Sequence, residues 1–380
     1  MKLACLSDFP YWDGLIGSHV RYQSLCMSLA RVCDLTMIAT VTPHQRYDHS
    51  IRRLSYRVIT RPKLKEIYTQ IGCPKQNGVP PDKQLEVASI SHLVAAEGFD
   101  AVLTPYFNRD WMLQGLPADV VRIIDTHDCQ SQRTRSFLRH GMVPTLLMTP
   151  EREGRELDRY DIALVMSDED HSEFATMTDI PLVTAPFRLP PNPVYRSRPE
   201  ASEVLFIAAK SDVNSLTLNY LLQEILPLTN RPLNLHLVGS IETPEAHPSN
   251  VNIRRHVDID DVSWIYGAVD LAVNPTFAGG GVKTKTLEAI RYGVPILTSD
   301  EGARGLRGLL PPELIVNDKE RFAWSICALL DDRALRERLS RDMIARLQAE
   351  GVDDWLAPFA QVLQASRSMK LEAAGTQRAI

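Results

Sequence analysis

The sequence is poor in the features that define several common protein classes. No apolar run approaches the roughly 18–20 residues that a helix needs to span a bilayer, so no transmembrane helix is expected. Cysteine is scarce and scattered: positions 5, 26, 33, 73, 129 and 327 show no C-x-x-C spacing. That pattern excludes a zinc ribbon or a dithiol redox motif and predicts buried, reduced thiols in a cytoplasmic protein. Positive charge is not in excess either. A formal charge of −5 and a pI near 6.1 argue against a nucleic-acid partner. Neither half supplies a G-x-G-x-x-G turn, so a dinucleotide-binding oxidoreductase is not expected. The stretch 279–284 fails as a P-loop, because Val282 stands where a glycine must precede the lysine. The N-terminal apolar run is too short for a signal peptide and reads as a first strand.

What is present is an ordinary globular composition, 44% hydrophobic and 23% charged, over 380 residues. That length predicts two domains. The most informative stretch runs from Asn274 to Thr298. An apolar strand (271–273) leads into Gly279, Gly280 and Gly281, a helical pattern follows from Val282 to about Arg291, and Gly293 with Pro295 ends it. A strand, a glycine turn and a helix together aim backbone N–H groups outward at a helix N-terminus, which suits a phosphate. Glu288 lies too far inside that helix to serve as a cap.

The first half alternates strand and helix in the manner of a Rossmann-like unit. Strands are expected at 2–6, 35–41, 101–104, 120–125, 162–166 and 182–184, and helices at 18–32 and 82–97. Gly14 and Gly17 are either plain turn residues or part of a loop over a ligand, with His19 and Arg21 facing the same way. Residues 51–65 form a basic run that reads either as a solvated face or as a patch touching anionic lipid or a phosphate-bearing acceptor. His127 follows a strand end, where ligands bind in open α/β sheets, although a lone histidine is often structural. Ser167 with the acids after it reads as a capped helix start rather than a metal site.

The proline- and arginine-rich segment 186–199 marks a domain boundary. A second α/β series follows, with strands at 204–208, 233–238, 251–254, 271–273, 294–298 and 314–316. Helices are expected at 215–226 (capped by Asn214), 262–268, 319–330, 332–350 and 353–366, before a polar, frayed tail from Ser368. Asp258-Ile-Asp260 has the form of a divalent-metal motif, but the helix after it favours a capping loop.

In this order the elements resemble the retaining glycosyltransferases of family four, the glycosyl transferases group 1. The resemblance is carried by 275–298, continuing into 301–306, and more weakly by the loop ending at Gly17, by 125–128 and by 160–168. It implies the GT-B fold: two Rossmann-like α/β domains facing across a cleft. The expected division is an acceptor domain 1–186, a linker 187–202, a donor-nucleotide domain 203–352, a helix 353–366 packing back on the first domain, and a tail 367–380. It implies an EC 2.4 enzyme that moves a hexosyl or related sugar from a UDP- or GDP-linked donor to the hydroxyl of a glycan, glycolipid or other acceptor, with no metal required.

Carried over by position, Glu288 matches the acid that binds the donor ribose, and Gly279, Gly280 and Gly281 match the loop at the donor phosphates. Lys285 is expected at the diphosphate, Gly17 in the first domain's loop over it, and His127 near the transferred sugar as a second catalytic candidate. His19, Arg21 and Lys210 are candidate acceptor or diphosphate contacts. Two departures stand out. Gly280 occupies the place of a second glutamate eight positions before Glu288, and the usual Arg and Lys clamp early in the second domain has no clean match beyond Lys210. They keep open a weakly active nucleotide-sugar-binding homologue and a GT-B nucleotide-sugar epimerase. Cell-surface polysaccharide or glycoconjugate synthesis, with peripheral contact at the inner membrane face, completes the expectation.

Overall fold

The structure, a computed structural model, describes residues 1–14, 16–244, 246–259, 261–351 and 353–378. The chain forms two compact units: 1–131 with 146–187 and 353–380, and 132–145 with 188–352.

The first unit is built on seven strands: β1 Lys2–Ser7, β2 Asp34–Ala39, β3 Arg57–Ile59, β4 Ala101–Pro105, β5 Val121–Asp125, β6 Ile162–Val165 and β7 Leu182–Thr184. They run parallel in the order β3-β2-β1-β4-β5-β6-β7. Sheets of this kind are covered by helices on both faces, which is why β1, β4 and β6 read as almost unbroken apolar runs. β3 was hidden inside the basic run, where hydrophobic periodicity is weak. Its first residue, Arg57, forms two hydrogen bonds to Glu97 of 2.7 and 3.0 Å. Arg61 pairs with Glu86 and Lys63 with Glu66, so half of that run is engaged within the chain.

The last helix, Leu356–Arg378, belongs to this unit. Trp355, Leu356, Phe359 and Leu363 are buried in the same core as Leu3, Tyr22 and Val121. The expected frayed tail is instead helical well beyond Ser368. The chain holds it there: Arg367 pairs with Asp100 and Asp119, and Lys370 with Asp161.

The second unit carries five parallel strands, β8 Glu203–Ile207, β9 Leu233–Val238, β10 Val251–His256, β11 Leu271–Asn274 and β12 Ile296–Thr298, in the order β10-β9-β8-β11-β12. The expected strand at 314–316 is replaced by a tight turn, Pro312–Leu314, and a single bridge from Ile315 to Thr298. The Val316 amide continues the pairing, donating to Thr298 O at 2.7 Å. The helix expected at 215–226 starts earlier. Ser211, not Asn214, caps it, its Oγ accepting the amide of Asn214 at 3.3 Å. After Tyr220 the helix widens into a π turn, Leu221–Ile225, just before Pro227, which has no N–H to continue the pattern.

The irregular segment after Phe187 is docked rather than free. Asn192 N donates to Arg291 O at 2.9 Å, and Arg198 reaches Asp270 at 2.9 Å. The buried guanidinium of Arg336 donates to the carbonyls of Leu329, Leu330 and Arg198, tying a helix C-terminus to this segment. Among the described residues, no helix is long and apolar enough to cross a membrane, and no group of three or more metal-ligating side chains converges. Asp260 of the Asp258-Ile-Asp260 motif lies outside the described residues.

Candidate functional site

In the second unit the functional candidates gather where β8 and β11 end. The glycine turn is conformationally demanding: Gly279 holds φ +144° and Gly281 φ +60°. A Cβ on Gly279 would lie 3.2 Å from Lys283 Cε. Lys283 explains how the turn keeps its shape. Its Nζ donates to Gly280 O at 3.2 Å and Gly281 O at 3.1 Å, and it pairs with Glu301 at 2.7 Å. The Gly279 amide donates to Ser136 Oγ at 3.1 Å. The helix that follows, Thr284–Tyr292, has no side-chain cap at its N-terminus, so its first amides keep the partial positive charge that suits an anion.

Lys285 and Glu288 lie one turn apart on that helix. Lys285 Nζ donates to Asn214 Oδ1 at 2.8 Å and sits 5.3 Å from the centre of the Phe206 ring. Burial, with some repulsion from Lys283, brings its pKa down to about 7. Glu288 moves the other way: burial raises it to about 7 against the pull of Tyr266, whose hydroxyl donates to Oε2 at 3.2 Å, and of Arg291 and Lys285. Burial thus works against the charged form of both groups, and a ligand that supplies an anion to one and hydroxyls to the other would favour both charges. Lys210, just past the end of β8, is exposed and paired with Glu242 at 2.5 Å.

In the first unit the candidates meet at the C-terminal ends of β1, β4 and β5. Gly17 is the first residue of the helix Gly17–Leu29, which also lacks a side-chain cap. His19 and Arg21 sit in its first turns. His19 Nδ1 is 2.5 Å from Asp13 Oδ1, and its ring stacks on Phe9. Arg21 is buried and donates to Asp125 Oδ1 at 3.0 Å, so its charge is already matched inside the unit. Asp125 Oδ2 lies 3.2 Å from His127 Nε2. His127 is buried with φ +61°, and burial lowers its pKa to about 4, with Asp125 opposing and Arg21 assisting. It is neutral near pH 7 and offers a hydrogen bond rather than a transferable proton.

Sequence reasoning did not single out Asp125, Asn214, Tyr266 or Lys283 for these roles. The readable signals were slight: an aspartate two residues before His127, and lysines at 283 and 285 that the fold sends to different partners.

No curated protein matches the chain. Residues 201–332, most of the second unit, match a family. It is described as Glycosyl transferases group 1. Among solved structures, TarM of S. aureus superposes with a TM-score of 0.72 at 8% identity, covering 96% of this chain and 99% of that one. Sucrose-phosphate synthase of Thermosynechococcus elongatus gives 0.62 at 16% identity, with 98% and 100% covered. HepE of Anabaena, solved with UDP, gives 0.60 at 12% identity, with 96% and 100% covered. At these identities the likeness is one of architecture, and with the two parallel sheets it establishes a two-domain Rossmann-like GT-B fold.

Proposed function

We propose that the chain is a retaining glycosyltransferase that moves a sugar from a nucleoside-diphosphate sugar to an acceptor hydroxyl, with the second unit holding the donor. The observation that carries this reading is the pair Lys285 and Glu288 behind an uncapped, glycine-opened helix. Donor diphosphate at the helix N-terminus gives Lys285 its counter-charge, and ribose hydroxyls donate to the carboxylate of Glu288. UDP is the nucleotide to test first, because the similar HepE and TarM structures were solved with it; GDP is the alternative.

In the reaction the bond from the anomeric carbon to the diphosphate oxygen breaks and one to the acceptor oxygen forms. The acceptor proton passes to the departing diphosphate. Lys285 and the helix N-terminus stabilise the charge that builds on that diphosphate, which takes the place of a metal ion in this proposal. His127 contributes a neutral imidazole to a sugar hydroxyl.

A second reading is favoured by Gly280, which leaves the loop without a carboxylate at that place: the chain binds nucleotide sugars but turns them over poorly. One experiment decides both points. Release of nucleoside diphosphate is followed with UDP- and GDP-sugars and an acceptor panel, for the wild type and Glu288→Ala. The proposal expects turnover in the wild type and a loss of roughly tenfold or more in Glu288→Ala, the scale of one charge-assisted hydrogen bond. Binding without release supports the second reading. Equal turnover by both proteins defeats the assignment of Glu288.

A further inference from the structure

A cavity of about 530 Å³ opens in the second unit beside the glycine turn, at the ends of β11 and β12. None of the roles assigned above uses it. Its volume lies in the range of small-molecule sites. One wall is aromatic: Phe277 meets His140 at 5.0 Å between ring centres and Tyr220 at 5.8 Å, nearly at right angles. The lining also includes a polar wall of Asp300, Glu301 and Asn317.

The polar wall is pre-organised and close to charge-balanced. Asp300 pairs with Arg307 at 2.8 Å and accepts from Asn317 Nδ2 at 2.6 Å, while its own amide donates to Asn317 Oδ1 at 2.8 Å. Glu301 is matched by Lys283. A carboxylate has about four lone-pair sites, so each retains capacity to accept further hydrogen bonds. An anion gains nothing from this wall, whereas a ligand with several hydroxyl donors does. The aromatic rings suit a flat face of C–H groups. A molecule with a C–H face on one side and a rim of hydroxyls on the other is a pyranose.

We infer that this cavity binds a neutral sugar ring belonging to the acceptor. The assignment to the acceptor rests on the glycosyl-transfer reading above; the binding of the sugar does not. The wall is also linked to the donor site, since Glu301 holds Lys283 and Lys283 holds the carbonyls of Gly280 and Gly281. An occupant of the cavity therefore touches the residues that shape the glycine turn.

The test is saturation-transfer NMR on the 380-residue chain with methyl β-D-glucopyranoside, methyl α-D-mannopyranoside and N-acetyl-D-glucosamine. Glucuronate and glucose 6-phosphate serve as charged counterparts, and UDP binding is measured separately by calorimetry. At least one neutral sugar should give signal on its ring C–H protons, persist under saturating UDP and exceed the charged counterparts. Phe277→Ala and Tyr220→Ala should each weaken it by about tenfold, the scale of one aromatic contact. Asn317→Ala, at an exposed position, does the same from the polar wall and guards against a variant that fails to fold. No signal from any neutral sugar, displacement by UDP, or binding unchanged in all three variants overturns the inference. If wild-type UDP binding is absent while sugar binding persists, the donor reading fails and the sugar site stands.

Discussion

The imidazole of His127 lies face to face with the phenol ring of Tyr106, their centres 3.8 Å apart and their planes within 10°. Both residues also hold positive φ, +61° and +59°, at the ends of adjacent strands β5 and β4. Two non-glycine residues in this costly conformation, stacked on each other, are the strongest local mark of a site in the first unit. Arg109 closes the stack, its guanidinium 5.0 Å from the Tyr106 ring centre and its Nε 2.8 Å from Asp8.

That stack keeps water from His127, so its low pKa depends on Tyr106. Tyr106→Gly removes the ring and relieves the backbone. The His127 pKa should then rise from about 4 toward its ordinary 6.5, read from imidazole NMR shifts against pH. The native pKa lies below the unfolded one, so between these values the unfolded chain binds more protons. His127's contribution is complete above about pH 6.5 and is lost as the pH falls toward 4, an effect of about 3 kcal/mol at full extent. A titration unchanged in Tyr106→Gly would show that the ring does not set the shift.

Lys285 and Glu288 should give UDP binding two opposing pH limbs. The ribose needs Glu288 ionised, so affinity falls as the pH drops below about 7; the diphosphate needs Lys285 protonated, so affinity falls as the pH rises above about 7. Calorimetry should show a maximum near neutrality for the wild type. Glu288→Gln should lose the acid limb and Lys285→Met the alkaline limb. Tyr266→Phe should move the acid limb upward, because the Tyr266 hydroxyl lowers the Glu288 pKa. A flat profile in the wild type would remove both assignments.

Gly302 has no room for a methyl group. A Cβ there would stand 2.0 Å from Thr298 Oγ1 and 2.9 Å from the Asn274 carbonyl oxygen. Gly302→Ala should lower the stability of the second unit by about 1–3 kcal/mol in denaturant melts. Adding Thr298→Ala should restore only part, since the backbone oxygen remains. Full rescue would mean that the hydroxyl alone sets the constraint.

Phe359 is fully buried in the first unit although it comes from the far end of the chain. Phe359→Ala should cost about 3–5 kcal/mol. The loss should appear in hydrogen exchange of β1 and β5, with the second unit's strands unaffected. Equal loss in both sheets would contradict the division into units.

Much of the architecture was legible in the sequence because buried parallel strands are nearly pure apolar runs. β9 and β7 have the bounds expected for them, and the Ser167 cap is present, its Oγ accepting the Asp170 amide at 3.1 Å. The misses have local causes. β3 is three residues long and begins with an arginine; the helix from Asp212 had two plausible caps three residues apart. The tail is polar in composition, and its ion pairs run to Asp100, Asp119 and Asp161, distant in sequence. Of the proposed site, the glycines and Glu288 are the part that a sequence pattern can show. Which of two neighbouring lysines binds the turn and which stays with Asn214 depends on contacts across as many as 71 positions, and no local pattern contains that.

The return of the final helix to the first unit sets an order on synthesis. The first unit's core includes Phe359 and Leu363, so it cannot close until the ribosome has delivered them. The second unit, residues 188–352 together with 132–145, is complete before that. At ~5–20 residues per second, the first 187 residues wait on the order of ten to thirty seconds while the second unit is made. The half of the chain that is translated first is thus the last to finish folding, and a ribosome that stalls before Phe359 leaves the seven-stranded sheet with an open apolar face.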